Sequence, residues 1–261
     1  MTEGAAVRHQ RSEGSILLST GATGLRRMRE DGAAKVRLPI NSTDAILINT
    51  GGGLAGGDRF RFDITVETQG QLTVTSQAAE RVYRTLGPPA TVDVSLKAEA
   101  GTSLIWLPQE TILFDGAALV RNIEAELATD AQFLAVESVV LGREASDETV
   151  TNASLRDRWR VRQAGKLIFA DDLAFDGAPP ASLATLGEAR AFATVVLVDR
   201  QAEDLVERVR AEIGGTGSAS AWSGKLVARI CARDGFMLRK SLIPALSVLN
   251  GGGALPKTWS F

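Results

Sequence analysis

The sequence predicts a mainly β fold with two helices near the C-terminus. Most of its 261 residues fall into short stretches in which apolar and polar residues alternate, which is the period of a half-buried strand. Pairs of turn-forming residues, such as Asp115-Gly116 and Asp176-Gly177, separate these stretches. Many short strands at close spacing are typical of a sandwich, a barrel or a solenoid, and the pattern leaves all three open.

The strand pattern recurs along the first two hundred residues. Alternating apolar residues predict strands near 60–66, 72–74, 92–96 and 119–127, and more continuous apolar runs occupy 132–141 and 194–198. Residues 159–169 predict a hairpin that turns at Ala164-Gly165. We find no strict sequence repeat.

Two later segments have the spacing of helices. Residues 200–213 carry apolar residues on one helical stripe (Ala202, Leu205, Val206, Val209 and Ile213), and Gly214-Gly215 ends it. A second helix is predicted at about 236–250, with Pro244 either kinking it or marking its first turn. The small, polar residues 216–223 between them predict a loop.

Composition excludes several classes of function. The 29 basic and 31 acidic residues nearly balance, so nothing attracts the whole chain to nucleic acid or to an anionic membrane. No apolar run reaches the roughly 18 residues of a membrane span, and residues 1–10 lack the apolar region of a secretory signal. We therefore expect a cytoplasmic protein, with residues 1–14 as a flexible segment.

Histidine and cysteine are scarce. His9 stands in the polar N-terminal segment, and Cys231 is expected to pack as a small apolar residue in a strand. Tight zinc or nickel sites use several imidazole or thiolate ligands, and the common hydrolytic triads need a histidine. The chain is therefore not expected to form either alone.

Residues 49–58 hold five glycines followed by Asp58. Gly51, Gly53 and Gly56 match the spacing of a dinucleotide-binding loop, but a strand pattern follows where that loop needs a helix. Asp58 also stands where a phosphate-binding loop has its lysine, and a carboxylate there would repel phosphate. We therefore expect a loop between two strands that approaches some close neighbour.

Three further strings concentrate polar residues: 75–84, 107–117 and 141–148. In the first, Glu80, Tyr83 and Arg84 could share one face of a helical turn, or form only a local ion pair at the surface. The second places Gln109, Glu110 and Asp115 around a short apolar strand. The third contains four charges in one turn region.

Taken in order, these strings resemble the urease accessory protein family UreD, also called UreH. The glycine loop, residues 77–84, 107–117, 142–148 and 255–259 each recur there in the same order. The resemblance runs from about Ser15 to the C-terminus. This chain departs from the family at Asp147, where glycine is usual, and at Asp171-Asp172, near which a glutamate is often found.

The resemblance implies a scaffold and not an enzyme. Members of the family bind apo-urease and recruit a UreF-like helical protein and, through it, a UreG-like GTPase, so that nickel enters the urease site. The implied fold is a β-helix-like solenoid with two helices near the C-terminus, forming one domain over 15–261. No tightly bound cofactor is expected.

A chain poor in histidine and cysteine would pass nickel along oxygen ligands, which bind it weakly. Asp58 and Asp171 are the predicted residues of such a transient route, although Asp58 could instead order its loop through a local hydrogen bond. Further candidates for the route or for an interface are Glu80, Tyr83, Arg84, Glu110, Asp115 and Trp259. Trp259 lies in a tail that either meets a partner or docks on its own chain.

One alternative is a β-solenoid carbohydrate-active enzyme that uses paired carboxylates. Glu110 and Asp115 are the candidates, because such enzymes need carboxylates grouped on one face, where a pair could act as acid and base. Their separation by five residues places them on opposite faces of one strand, which counts against this alternative.

Overall fold

The computed structural model describes residues 11–143, 146, 148–182 and 184–260. The strands are β1 (Glu13–Gly21), β2 (Gly24–Gly32), β3 (Ala34–Arg37), β4 (Asp44–Asn49), β5 (Arg59–Val66), β6 (Gln71–Ser76), β7 (Glu80–Val82), β8 (Ala90–Ala98), β9 (Ser103–Leu107), β10 (Thr111–Leu113), β11 (Ala118–Leu127), β12 (Gln132–Leu141), β13 (Ala153–Gln163), β14 (Lys166–Gly177), β15 (Ala191–Val198), β16 (Gly217–Trp222) and β17 (Lys225–Ala232). The helices are α1 (Ala202–Ile213) and α2 (Gly235–Leu249), with short 3-10 turns at Gly214–Thr216 and Lys257–Trp259.

The strands form two stacked sheets in a β-solenoid. The first sheet has the order β14-β13-β11-β8-β5-β1-β2, and the second has the order β16-β17-β15-β12-β9-β6-β4-β3. From β4 to β13 the longer strands alternate between the sheets, and each pairs in parallel with the strand one coil away. Each coil therefore adds one strand to both sheets, which confirms the solenoid among the three β architectures.

A third, short ladder runs along one side of the solenoid. β7 pairs in parallel with β10, β10 pairs with the end of β12, and Leu54 bridges to Val82. All of these residues lie in or beside turns that lead from the second sheet to the first. The glycine loop and the three polar strings, far apart in sequence, therefore occupy consecutive coils on the same side.

Two apolar cores follow from this arrangement. Between the sheets, the inward residues of alternating strands form the larger core, which includes Trp106, Phe133 and Trp159. The second core lies between the outer face of the second sheet and the two helices, where Val209 and Leu242 are fully buried. Each such aliphatic side chain stabilises the fold by about 1.5–3 kcal/mol.

Both helices occur where the sequence predicts them. Gly214 ends α1 with a φ of 52°, a conformation that glycine adopts without strain. Asp234 begins α2 by accepting a hydrogen bond from the Met237 amide at 2.7 Å, and Pro244 lies inside this helix. Neither helix of the described residues has the length and apolar character needed to cross a bilayer.

The predicted loop at 216–223 is wrong. Most of this segment is strand β16, which pairs antiparallel with β17. β16 is an edge strand of the second sheet and pairs only with β17. Its backbone hydrogen bonds to β17 form a strand even though its small, polar residues lack the apolar alternation typical of one. The predicted hairpin at 159–169 is confirmed as β13 and β14.

The first strand begins before the predicted domain start. β1 starts at Glu13, and the Ser12 amide already donates a hydrogen bond to Asp58. Residues 1–10, with His9, lie outside the described residues, so the division at residue 14 stays a prediction. Cys231 is half-buried in β17 and packs against the first core, as expected.

Candidate functional site

The close neighbour of the glycine loop is the chain's own strand β7 together with the residues that directly follow it. A Cβ atom at Gly53 would overlap the Tyr83 ring and approach the Arg81 carbonyl to 2.9 Å, and one at Gly56 would overlap the Thr85 side chain. The Tyr83 hydroxyl donates to the Gly52 carbonyl at 2.7 Å. The glycines therefore allow the loop to pack on the next coil.

Asp58 orders this loop from inside. It is only 3 % exposed, and its carboxylate accepts the amides of Ser12 at 2.7 Å and Ala55 at 2.8 Å. These bonds match the alternative in which Asp58 stabilises the loop locally. Whether it also lines a nickel route stays a prediction.

A cavity of about 290 Å³ lies behind the loop, between the two sheets. Its apolar wall includes Leu54, Phe60 and Phe62. Its polar lining comprises Asn49, Ser76, Gln77, Glu80, Arg81, Gln109, Thr111, Arg121 and Glu137, together with residues of the glycine loop. The cavity thus combines an apolar wall with several carboxylate and amide groups.

Glu80 is the sequence-predicted carboxylate that faces this cavity. It is half-buried and accepts two hydrogen bonds of 3.2 Å from the Asn49 amide nitrogen. Burial raises the pKa of Glu80 to about 7, although the Asn49 hydrogen bond opposes the rise. Its carboxyl group therefore changes charge near neutral pH.

The predicted helical turn at Glu80, Tyr83 and Arg84 is wrong. Glu80 lies in strand β7, because pairing with β10 and with Leu54 determines the local conformation. Tyr83 instead packs edge-on against Phe114, with ring centroids 5.2 Å apart. Arg84 forms an isolated bridge with the backbone of Ala117.

A buried ionic cluster forms the inner end of the cavity. Arg121 on β11 is 4 % exposed and donates to Glu137 on β12 at 2.5 Å and to Asp157 on β13 at 2.5 and 3.2 Å. The Trp106 indole donates to Glu137 at 2.8 Å. Burial works against the charged form of Arg121, but the carboxylates of Asp157 and Glu137 raise its pKa above the ordinary value.

This cluster was not predicted from the sequence, although the sequence contains a signal for it. Arg121 falls at an inward position of the alternation that includes Leu119 and Ile123, and Glu137 interrupts the apolar run of β12. A charged residue at an inward strand position must have a partner, because an unpaired buried charge is very costly. Searching inward positions for charges would have found the members of the cluster.

Glu110 and Asp115 have separate partners. Arg239 on α2 donates to Gln109 and Glu110, each at 2.8 Å, whereas Asp115 accepts the backbone amides of Thr151 and Asn152. These amide hydrogen bonds lower the pKa of Asp115. The two carboxylates flank the short strand β10 and do not form a catalytic pair.

Asp171 lies far from Asp58. It is on β14 and pairs with Arg229 of β17 at 2.7 Å, while the neighbouring Asp172 pairs with Arg160 at 2.5 Å. Four strand spacings separate β14 from β5 in the first sheet, which is about 19 Å. The two aspartates therefore cannot hold one ion together.

Trp259 docks on its own chain. It is 1 % exposed, and its indole donates to the Leu107 carbonyl at 2.9 Å. The Arg239 guanidinium lies over its ring, 5.1 Å from the centroid. Phe261 lies outside the described residues.

Oxygen ligands dominate the cavity, and no group of three or more His, Cys, Asp or Glu side chains in the described part of the chain is arranged to hold a metal ion. Buried carboxylates that lie singly or beside an arginine can attract a cation, but they do not enclose one.

Comparison with known proteins identifies the family. The model of the family "UreD urease accessory protein" matches residues 11–260. The chain is 46 % identical to a Rhizobium etli protein over 98 % of this chain and 97 % of the relative. It is 46 % identical to a Mesorhizobium japonicum protein over 92 % and 89 %, and 42 % identical to a Chelativorans protein over 93 % and 90 %. All three relatives are named urease accessory protein UreD. The chain belongs to the UreD family of urease accessory proteins.

Proposed function

We propose that the protein is a non-catalytic scaffold for the maturation of urease. It binds apo-urease together with a UreF-like protein and, through that protein, a UreG-like GTPase, and it assists GTP-dependent insertion of nickel. Membership of the UreD family supports the link to urease. The near balance of charges supports a role without nucleic acid or an anionic membrane.

The observation that carries the nickel role is the cavity with Glu80 on its wall. Nickel is the cargo here, and carboxylate oxygens bind it weakly enough to release it again. Among the described residues, the carboxylates that line this cavity are Glu80 and Glu137. Glu137 is ion-paired with Arg121, whereas Glu80 is half-buried and accepts its side-chain hydrogen bonds from the Asn49 amide nitrogen. Glu80 is therefore the carboxylate of this cavity best placed to meet a passing cation.

Asp58 and Asp171 remain proposed route residues on weaker grounds. Asp58 already accepts two backbone amides, and Asp171 already pairs with Arg229. A cation at either carboxylate would have to share it with these partners. The alternative carbohydrate-active enzyme gains no support, because Glu110 and Asp115 are held apart by different partners.

Co-purification tests the scaffold role. The full chain is produced with apo-urease and the UreF-like and UreG-like proteins, and the recovered complex and the nickel content of urease are measured. We expect a stable complex and nickel loading that depends on this chain. Equal loading of urease when the chain is omitted would contradict the proposal, as would recovery of the chain alone with turnover of a small substrate.

Matched variants test the route. Glu80→Gln keeps the shape of the side chain and one acceptor oxygen but removes its charge, and Asp63→Asn does the same at an outward carboxylate paired with Arg61. We expect normal assembly in both variants and slower nickel loading only for Glu80→Gln. Equal loading by the two variants would exclude Glu80 from the route.

The same nickel-loading assay tests whether Asp58 and Asp171 belong to the route. Asp58→Asn and Asp171→Asn are compared with the parental chain for both assembly and loading rate. If both variants assemble and load urease at the parental rate, neither residue belongs to the route. Loss of assembly by Asp58→Asn would instead indicate its role in ordering the loop.

A further inference from the structure

The C-terminal segment, residues 255–260, lies against the coil that forms one wall of the cavity. Trp259 is buried there through the bond from its indole to the Leu107 carbonyl. The Thr258 hydroxyl lies 2.9 Å from that of Thr75 on β6, next to Ser76 of the cavity lining. The end of the chain thus contacts both strands that lead into this wall.

Arg239 connects this segment to the wall itself. One nitrogen of its guanidinium donates to the Trp259 carbonyl at 3.0 Å, and the other donates to Gln109 and Glu110. An arginine can make this three-way contact because its donors form a rigid, planar fork. The position of Gln109 therefore depends on an arginine that Trp259 helps to hold.

Gln109 is held in an unfavourable position. Its side chain is 6 % exposed and lines the cavity, yet its amide nitrogen meets no acceptor among the described residues. Leaving a buried donor without an acceptor costs free energy, which rotation toward water would recover. The closed wall therefore requires the bond from Arg239 to the other atom of the same amide.

Movement of this wall would break a backbone hydrogen bond of Glu80. The Glu80 amide donates to the Glu110 carbonyl at 2.8 Å, and the Gln109 amide donates to the Ser76 hydroxyl at 2.8 Å. A shift of Gln109 and Glu110 therefore breaks bonds to the coil that carries the cavity carboxylate.

We propose that the C-terminal segment is a latch on the cavity wall, and that lifting Trp259 releases Arg239, Gln109 and Glu110 and opens the cavity. The latch is a property of this chain alone and stands independently of the role in urease maturation. A partner surface that displaces the segment would open the cavity at the place where it binds.

Amide hydrogen exchange of the full chain tests the latch. Trp259→Ala removes the latch, and Trp159→Ala removes an equally buried tryptophan from the core between the sheets as the matched control. We expect the Glu80 and Gln109 amides to exchange about tenfold faster in Trp259→Ala, with no change in β1 and β5. In Trp159→Ala we expect no such selective change at these two amides.

Arg239→Met provides a second test should Trp259→Ala fail to fold. It keeps an unbranched apolar stem but loses the guanidinium fork, so the same two amides should exchange faster while the segment stays attached through the Trp259 indole. The latch is wrong if both amides keep their parental exchange in this variant. It is also wrong if a folded Trp259→Ala variant exchanges faster in β1 and β5 by the same factor as at the Glu80 and Gln109 amides.

Discussion

At the residue scale, the glycines of the loop differ in what surrounds them. Gly53 has a φ of 145° and lies against Tyr83, whereas Gly52 has a φ of 73° and open space where a side chain would begin. Both glycines have a positive φ, but only at Gly53 would a side chain also clash with a neighbour. Counting glycines in the sequence does not separate these two cases.

This difference predicts unequal effects of alanine. Gly53→Ala should lower the free energy of unfolding by about 2–4 kcal/mol, because it adds both strain and a clash. Gly52→Ala should cost about 1 kcal/mol, since only the backbone conformation is unfavourable. Urea denaturation measures both variants, and equal losses would show that packing against Tyr83 contributes nothing.

The raised pKa of Glu80 predicts a pH-dependent stability. With a pKa of about 7 in the folded protein against 4.5 for a free side chain, the folded state binds more protons between these values. The contribution of protonated Glu80 to the free energy of unfolding is therefore complete below about pH 4.5, and it is lost as the pH rises through about 7.

Glu80→Gln removes this titration. Relative to the parental protein, the variant should gain about 1–3 kcal/mol of stability between about pH 5 and pH 8. Urea denaturation of both proteins at several pH values measures this gain in the free energy of unfolding. A stability difference that does not change with pH would mean that Glu80 has an ordinary pKa in the folded protein.

At the element scale, the ionic cluster joins three strands across both sheets. Arg121 on β11 contacts its neighbour β13 in the first sheet and reaches β12 in the second. Such a cluster constrains register, because a slip of one residue would turn its charges outward and apolar residues inward. The cluster thus specifies how the coils stack.

Removing Arg121 should therefore be costly. Arg121→Met leaves the carboxylates of Glu137 and Asp157 buried without their partner, and we expect a loss of about 3–5 kcal/mol. A triple variant, Arg121→Met with Glu137→Leu and Asp157→Leu, should recover most of the lost stability, because the apolar replacements remove the uncompensated charges. Thermal or urea unfolding measures both, and an equally unstable triple variant would contradict this account.

At the scale of the whole molecule, a solenoid must protect the ends of its sheets. β2 ends the first sheet and is exposed along nearly its whole length, with arginines at 26, 27 and 29. Charged side chains on an edge strand hinder pairing with a second molecule. We therefore expect these arginines to hinder pairing of this edge with a second molecule.

Neutralising the edge should promote self-association. Arg27→Thr with Arg29→Thr should raise the apparent mass in light scattering at a protein concentration where the parental chain is monodisperse. Arg156→Thr with Arg158→Thr, on the interior strand β13, is the matched control and should have no such effect. Association of both double variants to the same extent would indicate a general loss of charge instead.

The residue pattern alone determined both helices and many of the strands, but not β7 or β16, because alternation and helical spacing are local properties. It identified the α1 and α2 regions, the β13–β14 hairpin and the strand-to-strand nature of the glycine loop. The solenoid itself came from the family resemblance, since alternation is equally compatible with a sandwich or a barrel.

Only the tertiary structure decided what the polar residues do. Pairing between coils made Glu80 part of a strand, gave the glycine loop Tyr83 as its neighbour and directed Arg121 toward Glu137. These contacts join residues many positions apart, so no local pattern determines them. The strand preferences of this chain were set by its sequence, whereas its cavity and its latch exist only because stacked coils bring distant side chains together.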